Sequence, residues 1–267
     1  MRDTVDWKPL LLLPLAWVLL SWMAHRAVFY PMRFPEGRWQ EAEELGVEDV
    51  WLRSGEHRIH GWWAPLEGAP AVVLFLHGNA GNVTHRARNI RAWRSAGASI
   101  LVIDYRGYGR SEGRPSEAGI YEDALAGYRY LRGRGHRPEQ ILVHGESLGT
   151  VAAGHVAAME PVAGLILEAP FSSARAVAQS VLPLLGPLLV WGFDLESRIG
   201  GVHAPVLVIH GEQDEIIPFR LGRAVFEAAP EPKQFWAIPG AGHNDIPETA
   251  GPAYAQRLRT FLHSCLA

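Results

Sequence analysis

Five residues, Gly145-Glu146-Ser147-Leu148-Gly149, constrain this chain more than any others. They follow the apolar run Gln140 to His144 and open the small-residue run Thr150 to Met159, which is a strand, a sharp turn and then a helix. Glycine has no Cβ, so two glycines around Ser147 let the backbone fold tightly enough to lift the serine Oγ clear of a sheet. The helix that starts there points free backbone N–H groups at whatever sits beside the hydroxyl. A nucleophilic serine needs this setting. A plain glycine-lined turn is the alternative, and partners for the serine decide between the two.

The chain around this turn alternates in period. Val50-Trp51-Leu52 and Ile59 to Ala64 flank a Ser54-Gly55-Glu56 turn and read as a hairpin. Short apolar runs then recur at Ala71–Leu76, Ser99–Ile103, Ile141–His144, Ala163–Leu167, Val206–Ile209 and Gln234–Ile238. Helical patterns separate them at Val83–Ala96, Pro115–Leu131, Leu221–Ala229 and Glu248–Leu262. Continuous apolar strands with helical crossovers predict an α/β fold: a mostly parallel, eight-stranded sheet covered by helices on both faces. In such sheets ligands bind at the carboxyl ends of the strands.

The stretch 171–201 breaks the alternation. Its prolines oppose a long helix, and it reads either as a core helix pair or as a small apolar cap over a site. The expected organisation is an N-terminal anchor over 1–30, a linker over 31–47, and a catalytic domain over 48–267 with its cap at 171–201.

The anchor rests on Pro9 to Ala24, a run without charge bounded by Lys8 and by His25-Arg26. A spanning helix takes about 20 apolar residues. Ala27 to Tyr30 extends the run if Arg26 snorkels, and Trp7, Trp17 and Trp22 suit interfacial depths. A single-pass membrane anchor is the expectation; a cleaved signal peptide and a buried or interfacial helix are the alternatives. The charges on either side leave the orientation open. Composition bounds the partners: with 28 acidic against 25 basic residues there is no basic excess to suggest nucleic acid. The single cysteine, Cys265, excludes an intramolecular disulfide and a cysteine-rich metal site.

A serine hydroxyl is a poor nucleophile near neutral pH unless a base takes its proton, and the base needs an acid to orient it. Among 12 histidines, His243 stands in the Gly-rich loop Pro239 to Asp245 directly after the last strand, where it can reach a serine at the sheet's carboxyl edge. His77, His144 and His210 end apolar strands and suit structural work at the rim. Asp214 lies in the loop after the strand that ends at Ile209, and Ser147…Asp214…His243 is the chain order of this fold class. Glu168 is the rival acid, with Glu212 and Glu215 as flanking options. The loop His77 to Asn82 can bring backbone N–H groups to an oxyanion, with the N–H of Leu148 as second donor. That loop matches no nucleotide-binding pattern. The loop Asp104 to Ser111 reads as support for the site.

These segments, HGNAGN at 77–82, DYRGYGRSEGRPSE at 104–117, GESLGT at 145–150, EAPFSS at 168–173, APVLVIHGEQDEIIP at 204–218 and GAGHND at 240–245, resemble the α/β-hydrolase superfamily, and within it the membrane-anchored BEM46/ABHD13-like branch. The resemblance runs in family order over roughly residues 48–264. It implies Ser147 as nucleophile, Asp214 as acid, His243 as base, and an oxyanion hole from N–H groups near Asn79 and of Leu148. It further implies a hydrolase acting on an acyl ester or thioester, with a serine peptidase of aminopeptidase type as the alternative. No metal or cofactor is expected.

Overall fold

The computed structural model describes residues 13–26 and 28–267. Its centre is an eight-stranded sheet. In chain order the strands of the molecule are β1 (Tyr30–Pro31), β2 (Glu48–Ser54), β3 (His57–Ala64), β4 (Val72–Leu76), β5 (Ala80–Gly81), β6 (Ser99–Ile103), β7 (Ile141–Glu146), β8 (Gly164–Glu168), β9 (Val206–Gly211) and β10 (Lys233–Ile238). The main sheet has the order β10-β9-β8-β7-β4-β6-β3-β2, and β1 pairs with β5 separately. From β6 to β10 all pairings are parallel; β3 runs antiparallel to both β2 and β6. The expected hairpin is therefore the β2–β3 pair at one edge, and the expected sheet is confirmed in strand number and direction.

Successive side chains of a strand face opposite sides of its sheet. All five residues of β4 are buried, with Val72, Leu74 and Leu76 in one apolar layer and Val73 and Phe75 in the other. The first layer is closed by helices Glu117–Gly133, Gly149–Met159 and Phe219–Ala228, which contribute residues such as Ile120, Val151 and Val225. The second is closed by helices Ala87–Ala96 and Pro252–Leu266 through Ile90, Trp93, Leu258 and Phe261. A strand buried on both faces has no polar side to alternate, which is why these runs read as unbroken apolar segments. Each fully buried Val, Leu or Ile contributes about 1.5–3 kcal/mol. Local signals set the helix ends: Ser116 accepts a hydrogen bond from the Gly119 N–H at the start of Glu117–Gly133.

The N-terminus departs from expectation. The described helix, Leu13–Arg26, has 14 residues, a rise of about 21 Å against a hydrocarbon core of about 30 Å. Among the described residues no helix is long and apolar enough to cross a membrane, so the expected single-pass anchor is unsupported. Residues 9–12 of the uncharged run lie outside the described residues. The described helix packs on the 171–201 stretch: the Trp17 indole N–H donates to the Leu188 carbonyl at 3.0 Å, and its ring stacks on Trp191 at 5.8 Å. Residues 31–47 also lie against the body. Arg33 donates to the Gly107 and Gly113 carbonyls, and Leu45 on the short helix Glu41–Leu45 is buried.

Candidate active site

Ser147 lies between β7 and helix Gly149–Met159 with φ of 50°. A non-glycine residue in that left-handed region is held there by its surroundings. The flanking glycines provide the room. A Cβ on Gly145 would sit 2.4 Å from the Gly149 carbonyl oxygen, and one on Gly149 would sit 1.9 Å from the Leu76 carbonyl oxygen. The turn is also pinned across the sheet, since the Ser147 N–H donates to the Glu168 carbonyl at 2.8 Å.

The loops after β9 and β10 bring two more side chains to this point. The Ser147 Oγ lies 2.9 Å from His243 Nε2, and His243 Nδ1 lies 2.7 Å from Asp214 Oδ2. These are hydrogen-bond distances between residues 96 and 29 positions apart in sequence. The other oxygen of Asp214 accepts the N–H groups of Ile216 and Ile217 at 3.0 and 2.7 Å. Burial alone pushes the Asp214 carboxyl up; hydrogen bonds from His210 and His243 outweigh it and hold the carboxyl well below its ordinary range. Burial pulls His243 down, but the hydrogen bond and charge of Asp214, aided by Glu146 and Glu215, raise it above the ordinary 6.5. The rival acid Glu168 is buried elsewhere, where it accepts from the Tyr254 hydroxyl and faces His144 Nε2 at 3.5 Å.

His77, His144 and His210 are fully buried. The 104–111 loop does support the site. Asp104 lies 3.4 Å from His77 Nε2, and the Tyr105 hydroxyl donates to the His77 carbonyl at 2.9 Å. Burial raises the Asp104 carboxyl, and hydrogen bonds from His60 and His77 override that to lower it.

Ser147, Leu148, His243, Gly78 and Asn79 line one cavity of about 760 Å³. Much of the rest of its lining is apolar. Ala174, Val177, Ala178 and Val181 recur at helical spacing along Ala174–Val181 and present one face to it, joined by Leu182, Leu189 and Phe193. The stretch 171–201 therefore forms three short helices, Ala174–Val181, Gly186–Leu189 and Glu196–Ile199, the first two of which help line this cavity.

Sequence reasoning missed three contributors. Val28 and Tyr30 belong to the cavity wall, although nothing in their local pattern marks them. The Asn79 side chain ties that N-terminal strip to the loop after β4: its amide donates to the Val28 carbonyl, while its oxygen accepts the Tyr30 N–H at 3.1 Å and the Tyr108 hydroxyl at 3.0 Å. Two asparagines in a Gly-rich turn were the available signal. Third, the cavity has a charged pair, Arg86 and Glu146, with Nη1 and Oε1 3.3 Å apart. Burial raises the Glu146 carboxyl, and the charges of Arg86 and Arg88 more than reverse it.

A doubly covered, mostly parallel sheet with a serine on a strained strand-to-helix turn and a histidine and aspartate in later loops defines a hydrolase-type α/β protein. The comparisons agree. Residues 68–193 match the family "Serine aminopeptidase, S33". An uncharacterized protein of Mycobacterium tuberculosis is 36% identical over 251 residues, covering 92% of this chain and 89% of its own. Alpha/beta hydrolase domain-containing protein 17B of Xenopus laevis is 37% identical over 197 residues, covering 73% of this chain and 67% of its own. Among solved structures, an esterase of Pyrococcus furiosus superposes with TM-score 0.74 at 19% identity, covering 90% of this chain and 99% of that one. An α/β hydrolase of Vibrio vulnificus gives TM-score 0.72 at 23% identity, covering 93% and 94%. The chain belongs to the α/β-hydrolase superfamily.

Proposed function

We propose that this protein is a serine hydrolase that cleaves carboxylic ester or thioester bonds of acyl substrates through Ser147, His243 and Asp214. The observation that carries the reading is the unbroken line of hydrogen bonds Ser147 Oγ–His243 Nε2 and His243 Nδ1–Asp214 Oδ2, opening on a largely aliphatic cavity. In this mechanism Ser147 Oγ attacks the carbonyl carbon as His243 Nε2 takes its proton. The backbone N–H groups of Asn79 and Leu148 receive the charge that develops on the carbonyl oxygen. His243 then returns the proton to the leaving alkoxide or thiolate, leaving an acyl-enzyme. Water attacks that ester with His243 again as base, and the acid departs. Asp214 fixes the imidazole tautomer and stabilises the imidazolium.

The aliphatic face of Ala174–Val181 favours an acyl chain on one side of the serine. The resemblance to the BEM46/ABHD13-like branch belongs to the same proposal. A peptidase is the second reading, prompted by the description of the matching family. It requires a carboxylate for a terminal ammonium; Glu146 faces the cavity, but its charge is engaged by Arg86.

The test is labelling of the purified protein with a fluorophosphonate probe beside Ser147→Ala, followed by parallel panels of acyl esters and peptide amides. Labelling that disappears in the variant, with turnover rising with acyl chain length, is the expected result. Equal turnover of short and long chains removes the basis for an acyl-selective site, and preference for amides favours the peptidase. The pH profile gives a separate check. His243 acts as base only when neutral, and its pKa is raised, so the protonated, inactive form persists above the ordinary 6.5. The acid limb of kcat/KM is expected to have its midpoint above that value, and Asp214→Asn is expected to move it down.

A further inference from the structure

We infer that His210 is a positioning residue for the catalytic acid: its imidazole, anchored through Nε2 on the Ile217 carbonyl, lies against Asp214 and holds it in the orientation that His243 requires. This rests on the triad reading above and adds to it a group that never touches substrate. His210 is the penultimate residue of β9, and its side chain is wholly buried. Its Nε2 lies 3.0 Å from the Ile217 carbonyl oxygen and 3.3 Å from Asp214 Oδ2. Both atoms are acceptors, since a carbonyl oxygen has no proton and the carboxyl is held ionised, so Nε2 carries the proton. Nδ1 has no hydrogen-bond partner among the described residues and is the bare nitrogen.

The ring is fixed from behind. A Cβ on Gly222 of helix Phe219–Ala228 would lie 2.1 Å from Nδ1, and the Phe219 ring meets the imidazole edge-on at 5.6 Å. The result is a closed cluster. His210 donates to the Ile217 carbonyl, the Ile217 N–H donates to Asp214 Oδ1 at 2.7 Å, and His210 faces Asp214 Oδ2. Oδ2 therefore receives two imidazoles, His210 from β9 and His243 from the loop after β10. The two Ile N–H groups hold only Oδ1. Without the second imidazole, the one ring left against Oδ2 is that of the residue it has to orient. The other charged groups near this line, Glu146 and Glu215, act on His243.

The experiment compares fluorophosphonate labelling of the full chain with His210→Leu, which keeps bulk but removes the donor, and His210→Gln, whose side-chain N–H reaches about as far as Nε2. Thermal melts monitor folding. The expected result for His210→Leu is a maximal labelling rate about 10- to 100-fold lower, as for a small misplacement of reacting groups, with the half-saturating probe concentration unchanged. His210→Gln is expected to recover most of that rate. If His210→Leu does not fold, Gly222→Ala, which pushes on the ring without removing the donor, takes its place with the same expected drop. A folded His210→Leu or Gly222→Ala labelling at the wild-type rate overturns the inference, as does a His210→Gln variant as slow as His210→Leu. Labelling that survives Ser147→Ala overturns the triad reading itself, whereas labelling that needs Ser147 but ignores His210 sinks only this inference.

Discussion

Ser147→Ala and His243→Ala are each expected to lower kcat by about 10⁴-fold or more, and the double variant to be no slower than the slower single one. The reason is that the two side chains act as one unit. In the proposed mechanism the imidazole, 2.9 Å away, takes the hydroxyl proton as the oxygen attacks, so removing either atom leaves the other without a task. What remains is binding and any oxyanion stabilisation from backbone N–H groups that neither substitution touches. KM is expected to change little, because an aliphatic wall, not the triad, supplies most of the cavity surface. Both variants should melt close to wild type, since Asp214 keeps the Ile216 and Ile217 N–H donors when the imidazole is gone. Steady-state kinetics on the best ester, with thermal melts alongside, check this. Single losses that multiply in the double variant would mean that the two residues act independently, contrary to the mechanism.

Gly149→Ala is expected to have the largest effect on stability, at least about 3 kcal/mol. Its new Cβ would lie 1.9 Å from the Leu76 carbonyl oxygen and 2.8 Å from that of His77. Both are backbone atoms at the end of β4, a strand buried along its whole length, so no side-chain rotation relieves the clash. The helix must move off β4, or β4 must move off β7, and either breaks the turn that carries Ser147. At about 2–4 °C per kcal/mol for a chain of this size, the melting temperature falls by roughly 6–12 °C or the protein fails to accumulate. Gly97→Ala is the contrast. Its φ is 100°, but a Cβ there meets nothing within 4 Å, so only backbone strain of about 1–2 kcal/mol is added. Similar losses at both sites, measured by denaturant or heat, would show that the close approach of Gly149 to β4 is not what constrains the turn.

Much of the site was legible because strand-end chemistry is local. Ser147, Asp214 and His243 each stand in a Gly- or Pro-containing loop directly after an apolar run, and such a sheet gathers its strand ends at one edge. The same logic marked the loops after β4 and β6. The reading failed where contacts join segments distant in sequence and of unremarkable composition. Val28 and Tyr30 reach the cavity because Asn79 binds the backbone on both sides of Phe29, a contact across about fifty positions that no periodicity encodes. The uncharged run before Arg26 was read by hydropathy as a spanning anchor; its described part lies in a 14-residue helix, too short to span by itself, whose Trp17 packs on Trp191.

The sequence by itself determined the doubly covered parallel sheet, the strained turn at Ser147 and the order of the three candidate residues. Unbroken apolar strands, paired glycines and loop chemistry each act over a few residues and leave few alternatives. Only the tertiary structure decided that Asp214 rather than Glu168 meets His243, that the 174–189 segment presents an aliphatic face to the serine, and that His210 shares an oxygen of Asp214 with His243. Those outcomes depend on side-chain direction to within an ångström between elements far apart in the chain, and packing sets that direction.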